Sequence, residues 1–111
     1  IRILNRLGVN PKFYRPPGGH TRGFTRKLAK KHGLDLIYWD VMAEDWRGNT
    51  TAGEISQKLL DRVRPGHIIC LHDGRGKKGA PGRTIEALQT VLPLWIEEGY
   101  RFCTISEVQT R

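Results

Sequence analysis

Apolar and polar residues alternate along the chain with two different periods. Runs rich in aromatic and β-branched residues predict four strands, at residues 12–16, 34–42, 66–73 and 100–106. Amphipathic stretches between these runs predict three helices, at residues 21–32, 52–64 and 84–98. Regular alternation of strand and helix is typical of parallel βα units, so the pattern predicts an α/β fold. With 111 residues, the chain has the length of at most one domain.

The ends of two predicted helices carry recognisable signals. Gly33 follows the basic sequence "AKKH" and is placed as a stop for the first helix. Thr51 and Glu54 have the spacing of a capping box at the start of the second helix, in which Ile55, Leu59 and Val63 then form one apolar face.

The third predicted helix combines an apolar face with an internal proline. The residues of this predicted face are Ile85, Leu88, Leu92, Trp95 and Ile96. Pro93 lies among them, and a proline inside a helix removes a backbone hydrogen bond. We therefore expect the helix to be kinked or broken at Pro93.

Long loops follow the first three predicted strands, whereas the loops that lead from helix to strand are short. The long loops lie at the carboxyl ends of the strands, where ligands bind in α/β folds. The stretches "YRPPGG", "MAEDW" and "LHD" all fall at this edge. Each also has a purely structural interpretation: a proline–glycine turn, an Asp45 that caps a helix or pairs with Arg47, a Trp46 that covers the core, and a strand-terminal His72.

The chain is strongly basic, with 19 Lys and Arg against 11 Asp and Glu and a net charge of +8. Such a charge favours anionic partners such as nucleic acid, anionic lipid or anionic cell-wall polymers, and it is also compatible with a solvated basic face. The interleaved basic and aromatic strand pattern of RNA-binding modules is absent, so we predict no nucleic-acid partner. No stretch is long and apolar enough to span a bilayer.

The two cysteines, Cys70 and Cys103, fall inside predicted strands. We expect buried free thiols, because cysteine packs as a small apolar residue, but the sequence leaves a disulfide open.

Several of these stretches together resemble a known family. "FYRPPGG", "YWDVMAEDW", "IICLHDG" and "TIEALQTVLPLWIEEGYRFCTISEV" are similar to the polysaccharide deacetylases with the NodB homology domain, carbohydrate esterase family 4. The resemblance covers about residues 12 to 108 and includes only the last three of the five family motifs. It implies that residues 1–111 form the carboxyl-terminal part of a deacetylase domain, a half of a distorted (β/α) barrel.

The resemblance also implies roles for individual residues. His72 matches the general acid that protonates the leaving amine, and Asp45 matches the carboxylate that pairs with that histidine. Arg15 matches the arginine that orients a catalytic aspartate. This sequence lacks that aspartate, so we expect Arg15 to point toward empty space or toward another chain, with a second fragment, a bound anion or water in that place. Two departures stand out, because many relatives have an aspartate where this chain has Met42 and an aromatic residue where it has Gly18.

The remaining matches concern the substrate. Trp46 and Leu71 match apolar walls of the acetyl pocket, Gly18 matches the residue whose backbone N–H helps to bind the oxyanion, and Pro17 keeps that turn rigid. The resemblance implies an acetylated polysaccharide substrate, a secreted or cell-surface location and a partner in the amino-terminal part of the same domain.

A divalent metal, with zinc favoured, is implied for the complete domain, and we predict that this chain contributes no metal ligand. The family's aspartate ligand and its His-x-x-x-His pair have no counterpart here. His67 and His72 are five positions apart, so on one strand they would point to opposite faces. A non-catalytic carbohydrate- or anion-binding module without a metal site is the alternative.

Overall fold

The computed structural model describes residues 1–74 and 79–109. The described helices are α1 (Arg2–Arg6), α2 (Thr25–Lys31), α3 (Ala52–Arg62), α4 (Ala80–Glu97) and α5 (Ile105–Gln109). The described strands are β1 (Phe13–Tyr14), β2 (Asp35–Leu36), β3 (Val41–Met42) and β4 (Ile69–Cys70). The chain divides into two compact units, Ile1–Tyr38 and Trp39–Arg111. The long loop predicted after the third strand includes residues 75–78, which lie outside the described residues.

The first unit contains one parallel βα crossover. Strands β1 and β2 pair in parallel, with Phe13 opposite Asp35, and α2 lies between them in the sequence. Gly33 ends α2 as predicted, with a φ of +68° that residues with a side chain rarely adopt. The next residue, Leu34, then donates its N–H to the carbonyl of Ala29 at 2.8 Å.

The second unit contains the other parallel pair, β3 with β4, in which Val41 lies opposite Ile69. A single strand over residues 34–42 was therefore a wrong prediction, because its two ends pair with different strands. The break falls at residues 37–40, and Asp40 closes it. Its carboxylate accepts the N–H of Ile68 at 2.7 Å, and its own N–H donates to the Ile68 carbonyl at 2.8 Å.

Helices α3 and α4 pack on the β3–β4 pair and enclose the hydrophobic core. The buried core residues are Val41, Ala43, Ile55, Leu59, Val63, Ala87, Val91 and Trp95. The predicted face of α3 is confirmed by this set. The predicted cap is also present, since Thr51 Oγ1 accepts the N–H of Glu54 at 3.1 Å.

The third predicted helix differs from expectation in its start and in part of its buried face. Helix α4 begins at Ala80 rather than at residue 84. Pro81 is tolerated in its first turn, because a backbone N–H there would have no partner within the helix. The helix continues through Pro93 without a break. Among the residues of the predicted face, Trp95 is buried and Leu88 and Leu92 are half-buried, whereas Ile85 and Ile96 are exposed. The other buried positions of the helix are Ala80, Thr84, Ala87 and Val91.

The predicted fourth strand is wrong. The structure assigns no strand to residues 100–106; Ile105 begins α5, and the preceding residues are irregular. The aromatic residues of the segment contact a helix instead, since the rings of Tyr100 and Phe102 each lie 6.2 Å from that of Trp95. Cys103 and Cys70 are half-buried and are not joined in a disulfide. No helix in the described part of the chain is long and apolar enough to cross a membrane.

Leu59→Ala should destabilise the second unit by about 2–5 kcal/mol, because it removes a fully buried side chain from between α3 and α4. Leu94→Ala is the matched control, since Leu94 is 40% exposed. Urea denaturation of both variants measures the difference. Equal free energies of unfolding would contradict the assignment of this core.

Candidate functional site

A carboxylate and an imidazole meet at the carboxyl ends of β3 and β4. Asp45 Oδ1 lies 2.8 Å from Nδ1 of His72, and Asp45 Oδ2 accepts the backbone N–H of His72 at 2.8 Å. Parallel pairing brings the ends of the two strands side by side, although 27 positions separate the residues. The predicted approach of Asp45 to His72 is therefore confirmed.

Burial makes this contact unequal for its two partners. The side chain of Asp45 is 0% exposed, whereas that of His72 is 39% exposed. A carboxylate accepts hydrogen bonds and cannot donate them, so Nδ1 of His72 carries the shared hydrogen. The other ring nitrogen, Nε2, is left as the group that can exchange a proton with a ligand or with water.

Sequence reasoning missed Thr84, which completes the environment of Asp45. Its hydroxyl donates to Asp45 Oδ2 at 2.9 Å, and it is nearly buried on α4. Together with the two contacts from His72, this bond gives the buried carboxylate three polar partners. A threonine on the core face of a helix was the available signal, because a buried hydroxyl requires a partner.

Aromatic and apolar side chains border the imidazole. The rings of Trp46 and His72 are 5.2 Å apart and tilted by 59°. The guanidinium of Arg47 lies 5.7 Å from the centre of the Trp46 ring, so Arg47 contacts this tryptophan. Leu71 packs against the hydrophobic core beside the strand end. Trp46 and Leu71, the sequence neighbours of Asp45 and His72, thus place an aromatic ring and an apolar side chain beside the site.

The residue before Asp45 belongs to a cluster of charges. Glu44 Oε2 lies 2.8 Å from Lys58 Nζ and 3.3 Å from Arg62 Nη1, both on α3. The hydrogen bond from Lys58, together with the two positive charges, lowers the pKa of the Glu44 carboxyl below its usual 4.5. Glu44 therefore remains ionised and paired at neutral pH.

Arg15, Pro17 and Gly18 belong to the first unit. The expectation that Arg15 would point toward empty space or another chain is wrong, because Nε donates to the carbonyl of Ile37 at 3.2 Å and Nη2 to that of Tyr38 at 3.1 Å. Carbonyl groups at the end of β2 therefore take the place expected to be empty.

The turn that follows Arg15 begins at Pro17 and includes Gly18, which has a φ of +65°. A side chain at Gly18 would be strained in this left-handed conformation, and its Cβ would approach the ring of His20 to 3.0 Å. This conformation explains why the chain has glycine here.

The described residues do not themselves fit a metal ion. Within residues 1–74 and 79–109, no group of three or more His, Cys, Asp or Glu side chains is arranged to hold one. Nδ1 of His72 is engaged by Asp45, and Nδ1 of His67 accepts the backbone N–H of Arg64 at 3.0 Å.

Comparison with known proteins identifies relatives in sequence. The chain is 33% identical over 109 residues to a peptidoglycan-N-acetylglucosamine deacetylase of Bacillus cereus, covering 96% of this chain and 49% of the relative. It is 31% identical over 106 residues to the deacetylase PgdA of Listeria monocytogenes, of which it covers 21%. It thus spans half or less of the length of these curated relatives. No family model matches the sequence.

Solved structures give the same picture. The Bc1960 peptidoglycan N-acetylglucosamine deacetylase matches with a TM-score of 0.82 and 30% identity, over 96% of this chain and 49% of that one. A family 4 carbohydrate esterase from Streptomyces lividans matches with a TM-score of 0.75 and 31% identity, over 97% of this chain and 52% of the esterase chain. A mutant of BA3943, described as a CE4 family pseudoenzyme with restored enzymatic activity, matches with a TM-score of 0.78 and 26% identity. This match covers 96% of this chain and 36% of the mutant's chain. The parallel βα architecture expected from the sequence is confirmed by these similarities.

Thr84→Val should lower the free energy of unfolding by about 1.5–3 kcal/mol, because the buried Asp45 carboxylate loses a hydrogen bond without a change in side-chain shape. Thr90→Val is the matched control, since Thr90 is exposed on the same helix. Denaturant unfolding at neutral pH measures both. If the two variants were equally stable, the contact of Thr84 with Asp45 would contribute nothing.

Proposed function

The chain belongs to the polysaccharide deacetylases of carbohydrate esterase family 4, as the counterpart of the carboxyl-terminal part of their domain, and on that premise we propose that it supplies the general-acid side of a deacetylase site. The substrate is an N-acetylated, or O-acetylated, cell-wall or chitin-like polysaccharide. The observation that carries the proposal is the pairing of His72, through Nδ1, with the buried carboxylate of Asp45.

In this proposal His72 delivers a proton when the amide is cleaved. Water transfers a proton to the catalytic aspartate of the amino-terminal part and adds its oxygen to the acetyl carbon. The carbon–nitrogen bond then breaks, and the departing nitrogen takes the proton from Nε2 of the protonated His72. The free amine and acetate are the products. Imidazole suits this role because its ordinary pKa lies near neutrality. Asp45 orients the ring and stabilises its positive charge.

Further residues have supporting roles in the proposal. Trp46, in contact with the ring of His72, and Leu71 form apolar walls for the acetyl group. The backbone N–H of Gly18 binds the oxyanion that develops on the carbonyl oxygen, and Pro17 holds that turn. Arg15 orients a catalytic aspartate that the amino-terminal part of the same domain provides.

A divalent metal, with zinc favoured, completes the proposed enzyme. One structure of similar fold is a family 4 acetyl xylan esterase from Clostridium thermocellum in complex with a cobalt ion. The ligands would come from outside this chain, because its described residues do not form a metal cluster. The relatives named for peptidoglycan support a location outside the cell or at its surface.

A non-catalytic carbohydrate- or anion-binding role is the second candidate. BA3943, which has a similar fold, is described as a pseudoenzyme in its wild-type form, and the net charge of +8 suits an anionic polymer. In that case the Asp45–His72 pair would serve stability alone.

His72→Ala should lower kcat by about 10²–10⁴-fold on N-acetylglucosamine oligosaccharides in the full-length protein, because it removes the general acid. The content of bound metal should not change. His32→Ala, at an exposed helix end, is the control. Turnover by His72→Ala equal to that of the control would favour the non-catalytic role.

The isolated chain should bind no zinc stoichiometrically and should release no acetate from the same substrate. The physical reason is the donor set, because the described residues do not bring three ligands together. Isothermal titration with zinc tests this directly. A tight complex of one zinc per chain would refute it.

A further inference from the structure

The backbone is strained at the residue that immediately precedes the buried carboxylate. Glu44 has a φ of +52°, and it is the only non-glycine residue with a positive φ in the described part of the chain. Residues with a Cβ avoid this region because the Cβ approaches the backbone carbonyl. Such a conformation persists only where surrounding contacts hold it.

The conformation of Glu44 also determines how the residues on either side of it are oriented. Ala43 and Asp45, on either side of it, are both 0% exposed, whereas Glu44 itself is half-buried and its carboxylate contacts α3. The left-handed conformation of Glu44 thus lies at the point where the chain leaves β3 and turns the Asp45 side chain inward. A change of conformation at Glu44 would alter the direction from which the carboxylate reaches His72.

Two cations on α3 hold this residue. Lys58 and Arg62 are one helical turn apart, and both contact Glu44 Oε2, at 2.8 Å and 3.3 Å. Nη1 of Arg62 also donates to the carbonyl of Met42 at 2.6 Å. Arg62 therefore contacts the end of β3 and the strained residue together, which attaches both to the capped, well-packed helix.

We propose that Glu44 is a positioning residue, and that its contacts with Lys58 and Arg62 maintain the strained turn that aligns Asp45 with Nδ1 of His72. The inference rests on the proposed function of His72 as general acid. Single exposed ion pairs contribute little to stability. Here, however, two cations meet one half-buried carboxylate whose backbone requires restraint, next to the residue that must be aligned. The lowered pKa of the Glu44 carboxyl agrees with this arrangement.

Two substitutions separate the ion pairs from the backbone strain. Glu44→Ala removes both ion pairs and retains the penalty for a positive φ, so the turn should relax and Asp45 should move away from His72. Glu44→Gly removes the ion pairs and also the penalty, so the alignment should be better preserved. The matched control is Gln57→Ala. This change removes a side-chain hydrogen bond to Asp61 on the exposed side of α3, the helix that carries Lys58 and Arg62.

The first measurement does not depend on catalysis. Nitrogen-15 NMR of the full-length protein reports whether the Nδ1 hydrogen of His72 is held in a strong hydrogen bond. We expect this signal to be lost in Glu44→Ala, largely retained in Glu44→Gly and unchanged in Gln57→Ala. Loss of stability in Glu44→Ala with an unchanged His72 signal would overturn the proposal, since Glu44 would then be structural only.

The second measurement is turnover. With misalignment of the acid, kcat should fall about 10-fold to 10²-fold in Glu44→Ala, with KM nearly unchanged, and the decrease should be smaller in Glu44→Gly. Equal decreases in the two variants would overturn the role of strain. If the wild-type protein has no turnover but the NMR signal responds as expected, the general-acid function fails while the positioning of Asp45 by Glu44 holds.

Discussion

A carboxylate buried away from water requires hydrogen-bond donors, and in this protein that requirement joins three segments of the second unit. Asp45 is fully buried and is contacted by the backbone and ring of His72, at the end of β4, and by the hydroxyl of Thr84, on α4. Removing one donor would leave part of a charge unsatisfied in a medium of low polarity. The β3 turn, the β4 end and α4 therefore have one well-defined relative placement. The side chain of His72 itself remains 39% exposed.

The parallel sheet provides the geometry on which this contact depends. Strands β3 and β4 are only two residues long, yet their pairing aligns the two chain segments that carry the site. Asp40 extends the ladder with its side chain, and the capped helix α3 supplies the cations that hold Glu44. Short strands suffice because the helices bury most of the core residues of this unit.

The residues that the proposal names are divided between the two units of the chain. The second unit contains the acid and its carboxylate, whereas Arg15 and Gly18 belong to the first. Arg15 is held by the carbonyl groups of Ile37 and Tyr38 in this chain. The chain spans about half of its curated relative from Bacillus cereus. The proposal therefore takes the metal ligands and the catalytic aspartate from outside the described residues.

The sequence alone was sufficient where local chemistry decides the structure. The capping pair Thr51 and Glu54, the stop at Gly33 and the apolar face of α3 depend on neighbouring residues, so their pattern predicted them. The alternation of strand and helix patterns indicated the α/β fold, and the family resemblance of the motifs around Asp45 and His72 implied that these two residues meet. Only the tertiary structure decided the division of residues 34–42 between two sheets and the absence of a strand near Phe102. It also decided which face of α4 is buried, and with it the contact of Thr84 with Asp45. These features depend on partners that are distant in the sequence, because a strand exists only where another strand pairs with it and a buried charge is stable only where donors from other elements converge.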